Sequence, residues 1–217
     1  MTGIANVIQR RTGLALAVLG ILLTLLLVIS PAEATLGNAV KIVYLHGALE
    51  RVSTYAYLSA ALIGLGYLIM RRPALAVWTQ SLAEVAIGLW VAHFVVSLPA
   101  QWLAWGGITF SEPRVNSAIW IMGLTLVIYV VTRWMGDEIW VALGALANAA
   151  VFLIIMRGTI NILHPFNPIT GSDSLDIKIF YAAIVLTVAA GSAVGAWWRS
   201  RRIAPRGLNR IAEQPAL

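Results

Sequence analysis

Residues 14–30 read LALAVLGILLTLLLVIS and contain no charged side chain. A transmembrane helix needs about 20 mostly apolar residues, because the hydrocarbon core of a bilayer is about 30 Å thick. Five more apolar runs of suitable length follow, at residues 44–70, 78–98, 117–132, 139–156 and 179–198. The sequence therefore predicts an all-α integral membrane protein with six transmembrane helices.

The composition also indicates a membrane protein. Hydrophobic residues make up 60% of the chain, charged residues only 11%, and the mean hydropathy is +0.85. One soluble core of this length could not bury so much apolar surface. Breakers such as Arg-Arg-Pro at 71–73 and Leu-Pro at 98–99 separate the runs and leave no room for a soluble domain. We expect a single six-helix transmembrane domain over residues 1–198 and a basic cytoplasmic tail over residues 199–217.

Several function classes are excluded by what the sequence lacks. It contains no cysteine, which excludes disulfides, thiolate metal sites and thiol redox chemistry. It also has no Walker motif, no HExxH and no glycine-rich nucleotide loop, so any energy must come from another subunit. The net charge of +6 comes from residues at the ends of apolar runs and in the tail, where membrane topology explains them better than nucleic-acid binding does.

The distribution of basic residues predicts an orientation. Ten of the fifteen Lys and Arg residues lie on the side of the two termini, and the richer side is usually cytoplasmic. Both termini are then cytoplasmic, and the loops near residues 31–45, 99–116 and 157–178 face outward. We expect a multi-pass protein of the inner, cytoplasmic membrane. The first run resembles a signal peptide but is long for one, which favours its retention over cleavage.

Histidines are the strongest candidates for ligands. His46 and His164 are both predicted at the outer face, and Glu50 lies one helical turn beyond His46 on the same helix face. Two imidazoles from distant segments can ligate one metal ion or one haem iron axially. His93, inside the third run, is a reserve candidate. For each histidine alone, a polar anchor, a turn residue or a helix–helix hydrogen bond is the simpler alternative.

The predicted second outer loop, QWLAWGGITFSEPR at residues 101–114, carries aromatic and basic side chains. Its Trp102, Trp105 and Phe110 could stack on a planar ligand, although anchoring at the lipid headgroups is the commoner role. Arg114 and Arg51 are the best candidates to pair with carboxylates of a ligand, with solvated interface charges as the alternative.

These segments resemble the six-span CcmC branch of the CcmC/CcmF/CcsA family of haem-handling membrane proteins. Residues 41–46, KIVYLH, resemble the family's RIFYIH, and residues 161–164, NILH, resemble its NTLH. Residues 105–117, WGGITFSEPRVNS, occupy the position of the family motif WGxWWxWDPRLTS. Three motif tryptophans are replaced by Ile108, Thr109 and Ser111, and the motif aspartate by Glu112. The resemblance covers about residues 40–200.

The resemblance implies a carrier of haem b and no enzymatic activity. Haem would be bound transiently at the outer face and presented to a periplasmic haem chaperone, beside an ABC-type ATPase and its membrane subunit. His46 and His164 would supply the axial nitrogens. The implied cofactor-binding residues are His46, His164, Trp102, Trp105, Phe110, Glu112, Arg114 and Arg51.

Two alternatives from other classes remain open. The first is an electron-transfer subunit with permanently bound haem b, ligated by His93 and a loop histidine. The second is a non-haem permease or scaffold subunit of a transporter, favoured by Glu84 and Asn148, because polar side chains within membrane spans often mark ion or proton paths. A helix–helix hydrogen bond explains a lone intramembrane acid or amide at least as well.

Overall fold

A computed structural model describes the backbone of residues 2–160, 169 and 171–212, and the side chains of residues 9–160, 169 and 171–203. The described residues form six helices: α1 (Thr2–Ile29), α2 (Val40–Met70), α3 (Pro73–Trp105), α4 (Pro113–Trp134), α5 (Glu138–Gly158) and α6 (Leu175–Ala212). Each contains a stretch long and apolar enough to cross a membrane. The prediction of an all-α chain with six membrane-length helices is therefore confirmed.

Helix α3 is longer than the sequence predicts. We expected Pro99 to end the third span, but the helix continues through it to Trp105. Proline removes one backbone hydrogen bond, a loss that a long membrane helix tolerates. The helix ends at Gly106, whose φ of 74° is the left-handed conformation that glycine adopts without strain, and whose N–H donates to the Trp102 carbonyl. Trp102 and Trp105 thus lie on the last turns of α3 and not in a loop.

Helices α2 and α3 form an antiparallel hairpin at the centre of the bundle. Helix α5 packs on α2, α4 packs on α5, and α6 packs on α3 and α2. Small residues allow the close approach of α2 and α5: a Cβ added to Gly64 would lie 3.2 Å from the Ala142 carbonyl oxygen. Helix α1 is peripheral, since it packs mainly on α6 and only 6% of its most apolar stretch is buried.

The connections divide the bundle into two ends. At the long-loop end lie the connections 30–39 and 106–112 and the described ends of the α5–α6 connection, residues 159–160 and 171–174, and at the short-loop end lie the connections 71–72 and 135–137. Side-chain caps begin two of the helices: Glu112 accepts the Val115 N–H of α4, and Asp137 accepts the Ile139 N–H of α5. The predicted outer loops thus share one end of the bundle.

Candidate functional site

A stack of three rings lies in the half of the bundle near the long-loop end. The imidazoles of His46 on α2 and His93 on α3 have centroids 4.2 Å apart and planes 21° apart. Trp90 also stacks on His93, at 4.6 Å, and its indole N–H donates to the Ala118 carbonyl of α4. The stack therefore ties His46 to the central hairpin and, through Trp90, to α4.

The hydrogen bond of His93 defines its tautomer. Its Nδ1 lies 3.2 Å from the backbone carbonyl oxygen of His46, an atom that only accepts. Nδ1 must then carry the hydrogen and donate it to this carbonyl. His93 is buried and lies twelve residues before Trp105, about 18 Å along the helix, so it is deeper than a helix that ended with the predicted third run at residue 98 would place it.

His164, the predicted partner of His46, lies outside the described residues, so the pairing of His46 with His164 stays a prediction. The chain leaves α5 at Gly158 and reaches residue 160 at the long-loop end. There the Thr159 hydroxyl lies 2.6 Å from the hydroxyl of Ser117 on α4. The segment that contains His164 therefore starts beside the first turns of α4.

The predicted aromatic residues are exposed at the long-loop end. Trp102 is 61% exposed, Trp105 43% and Phe110 55%, and Ile108 is exposed beside them in sequence. Their apolar faces are available to lipid headgroups or to a planar ligand. The structure thus places these three rings at the same end as His46.

Arg114 occupies an unusual environment on the first turn of α4. Its Nη1 donates to the sulfur of Met156 at 3.4 Å, a weak acceptor. Its Nε is buried and has no hydrogen-bond partner among the described residues. A buried guanidinium N–H without a strong acceptor is destabilising, so this residue is suited to an anionic ligand.

The other predicted polar ligands differ in their surroundings. Glu112 is 1% exposed and its carboxylate accepts the Val115 N–H at 2.8 Å, so it holds the start of α4. Arg51 is exposed on α2, with its guanidinium carbon 5.7 Å from the centre of the Tyr181 ring. Arg157, a further basic side chain at this end of the bundle, is exposed near the end of α5. Both arginines therefore remain accessible near the long-loop end.

An open groove of about 530 Å³ runs between α4 and α5 at the long-loop end. Its size falls within the range of about 300–1,000 Å³ that is typical of small-molecule sites. Polar and apolar side chains line it: Ser111, Pro113, Asn116, Ser117, Ile155, Gly158, Thr159 and Ile160. The groove follows directly on the loop that carries Phe110.

A second polar cluster lies toward the short-loop end. Glu84 forms an ion pair with Arg199 of α6 and accepts hydrogen bonds from Gln80 and from Tyr129 of α4, both at 2.8 Å. Arg133 in turn donates to Gln80 at 3.1 Å. The sequence pattern points to Glu84, whereas Arg199 was expected in the tail. The rule that an intramembrane acid needs a cation at similar depth on another helix would have pointed to it.

Among the described residues, no group of three or more His, Asp or Glu side chains could hold a metal ion. Neither a protein-family profile nor a curated protein sequence matches this chain. Its function must therefore be inferred from the side chains of the site.

Proposed function

We propose that this chain is a membrane protein of the CcmC type that carries haem b at its long-loop end and presents it to a periplasmic haem chaperone for cytochrome c maturation. Haem is its cargo, and the chain acts as a carrier and not as an enzyme. It would lie in the inner membrane with the long-loop end outside, beside an ABC-type ATPase and its membrane subunit. Several features of the long-loop end support this proposal.

The observation that carries the proposal is the environment of Arg114. Its buried Nε lacks a partner among the described residues, and the sulfur of Met156 is a poor acceptor for its Nη1. A carboxylate would satisfy a guanidinium through charge-assisted hydrogen bonds. Haem carries two carboxylates on an otherwise apolar disc, which suits a site at a membrane surface. Arg114 is also the arginine of the Glu-Pro-Arg segment on which the family resemblance depends.

His46 is the first candidate for an axial ligand. Its ring is half-buried and held by the stack on His93, so little side-chain freedom is lost when it binds. Two axial ligands direct their nitrogens at one iron from opposite sides, whereas the His46 and His93 rings lie face to face. This arrangement favours His164 over His93 as the second ligand, with His93 in support of His46.

The remaining groups fit the apolar face and the carboxylates of haem. Trp102, Trp105 and Phe110 present exposed rings that could cover one porphyrin face. Arg51 and Arg157 are accessible cations that could pair with a second propionate. Glu112 contributes indirectly, because its cap fixes the first turn of α4 and hence the position of Arg114.

The proposal is tested by haem retention. Wild type, His46→Ala, His164→Ala and Arg114→Gln are purified in detergent from haem-replete cells, and the Soret absorbance is measured per protein. We expect each variant to lose most of the band. Arg72→Gln, which removes an exposed arginine at the short-loop end, is the matched control and should retain it. The absence of a Soret band in wild type after haem titration, or full retention by His46→Ala and Arg114→Gln, contradicts the proposal.

A further inference from the structure

A small cavity lies between α3, α4 and α5, next to the Glu84 cluster and away from the long-loop end. It is lined by Gln80, Ala83, Tyr129, Thr132, Arg133, Val141, Gly144, Ala145 and Asn148. The room for the centre of a water molecule is about 10 Å³. One buried water needs about 10–15 Å³ by this measure, so the cavity has room for one water molecule at most.

Asn148 supplies the strongest reason for a ligand in this cavity. It lies in the middle of α5, is only 2% exposed, and its Oδ1 has no hydrogen-bond partner among the described residues. Buried polar atoms in folded proteins are nearly always paired with protein or with ordered water. The core of a bilayer contains no water, so the hydrogen-bond donor to the Asn148 amide oxygen must come from inside the bundle.

The other polar side chains around the cavity offer both donors and acceptors. Arg133 uses Nη1 on Gln80 and keeps further N–H groups. The Tyr129 and Thr132 hydroxyls donate to other groups, which leaves their oxygen atoms able to accept. A cation would be repelled by Arg133, and an anion would meet the Asn148 oxygen. Water is the ligand that both donates and accepts.

We propose that this cavity binds one structural water molecule, which donates to Asn148 Oδ1 and forms its other hydrogen bonds with the polar side chains of α3 and α4. The water extends the network of Gln80, Glu84 and Arg199 to a fourth helix. Among the described residues, that network already joins α3, α4 and α6 by direct hydrogen bonds. Helix α5 joins it through the water.

A crystal structure of the full chain in a lipid phase, at a resolution that shows ordered water, tests the proposal directly. We expect one density within hydrogen-bond distance of Asn148 Oδ1, at distances normal for water. An Oδ1 that accepts directly from a side chain, an empty cavity, or an ion at shorter distances overturns the proposal. The wild-type structure decides this even if no variant folds.

Radiolytic footprinting provides a second measurement in solution, because hydroxyl radicals formed from a bound water label the side chains next to it. Asn148→Leu keeps a similar shape but removes the acceptor, and we expect it to lower the labelling rate of Tyr129 several-fold. Tyr55, which is 59% exposed on α2, is the internal control and should keep its rate. An unchanged rate at Tyr129 in the folded variant contradicts the water site.

Discussion

The imidazole of His93 stacks on that of His46 at 4.2 Å, while its Nδ1 hydrogen bonds to the His46 backbone carbonyl at 3.2 Å. One buried side chain of α3 thus contacts both the ring and the backbone of the residue that we propose as a haem ligand. These two contacts hold both the backbone and the ring of His46 in place. His93 therefore has a positioning role that does not require it to touch haem.

Two variants of His93 separate its two contacts. His93→Phe keeps a stacked ring but loses the hydrogen bond, which should lower the free energy of unfolding by about 1 kcal/mol. His93→Ala also leaves a cavity beside Trp90 and should cost roughly 2–3 kcal/mol. Denaturant titration in detergent measures both. If His93 positions His46, His93→Phe retains most of the Soret band, whereas complete loss in His93→Phe makes His93 a ligand.

The Glu84–Arg199 ion pair predicts an asymmetric response to mutation. Arg199→Met leaves the Glu84 carboxylate in the bundle with only neutral donors, Gln80 and Tyr129. Glu84→Gln leaves the Arg199 guanidinium without its partner. Arg199 lies near the end of the membrane-length stretch of α6, Leu175–Ile203, so its long side chain can reach the short-loop end. We expect Arg199→Met to destabilise the protein by about 2–3 kcal/mol and Glu84→Gln by about half as much.

The double variant Glu84→Gln/Arg199→Met should be more stable than Arg199→Met alone, because it contains no unpaired charge. Thermal unfolding in the same detergent gives the comparison, with Arg72→Met as an exposed control. Equal effects of the two single variants, with strict additivity in the double variant, would show that the ion pair does not hold α6 to α3.

The sequence predicts the spans well because the bilayer imposes a length on apolar runs, whereas it predicts their ends poorly. Pro99 was expected to break α3, yet backbone hydrogen bonds on both sides of it keep the helix intact to Trp105. The resulting helix carries Trp102 and Trp105 on its last turns. The rule that proline ends a helix thus failed here, because an apolar medium penalises backbone N–H and C=O groups that lack a hydrogen bond.

The contacts between distant residues could not be read from the sequence at all. His46 and His93 are 47 positions apart, and Glu84 and Arg199 are 115 apart. Their meeting depends on the order in which the helices pack, which apolar periodicity does not specify. The sequence did identify most of the polar residues involved, because a charged or hydrogen-bonding side chain within an apolar run is costly without a partner.

The connection between α1 and α2 should respond to acid through Glu33. The backbone N–H groups of Leu36 and Thr35 both donate to its carboxylate at 2.8 Å and hold the pKa of Glu33 below its ordinary value of 4.5. A lowered pKa in the folded state means that the stabilisation is present above the unfolded-state pKa and is lost as the pH falls through the folded-state pKa. The stability difference between wild type and Glu33→Ala should therefore shrink below about pH 4.5.

Stability measured from pH 7 down to pH 3 gives this difference, and carbon NMR of the Glu33 carboxyl gives its pKa directly. The backbone N–H groups of Leu36 and Thr35 are the main causes of the lowered pKa of Glu33. A carboxyl that titrates at or above 4.5 would show that the two N–H groups do not bind it in solution.

Gly144 sets the spacing between α4 and α5, beside the proposed water cavity. A Cβ at this position would lie 2.8 Å from the Thr132 hydroxyl oxygen and 2.9 Å from its methyl carbon, closer than real Cβ contacts. Gly144→Ala should therefore destabilise the protein by about 1–3 kcal/mol, because the helices must separate or Thr132 must change its rotamer. Thr132→Ala in the same chain removes both close atoms and should restore part of the loss.

Gly123 on α4 is the matched control, because a Cβ there meets no atom within 4 Å. Gly123→Ala in a helix interior should raise stability slightly, by about 0.5–1 kcal/mol, through the lower backbone entropy of alanine in the unfolded chain. Opposite signs at the two glycines would show that Gly144 is required for close packing and not for flexibility. If both substitutions stabilise the protein, α4 and α5 are not in contact at this depth, and the cavity lined by Asn148 and Thr132 is not closed.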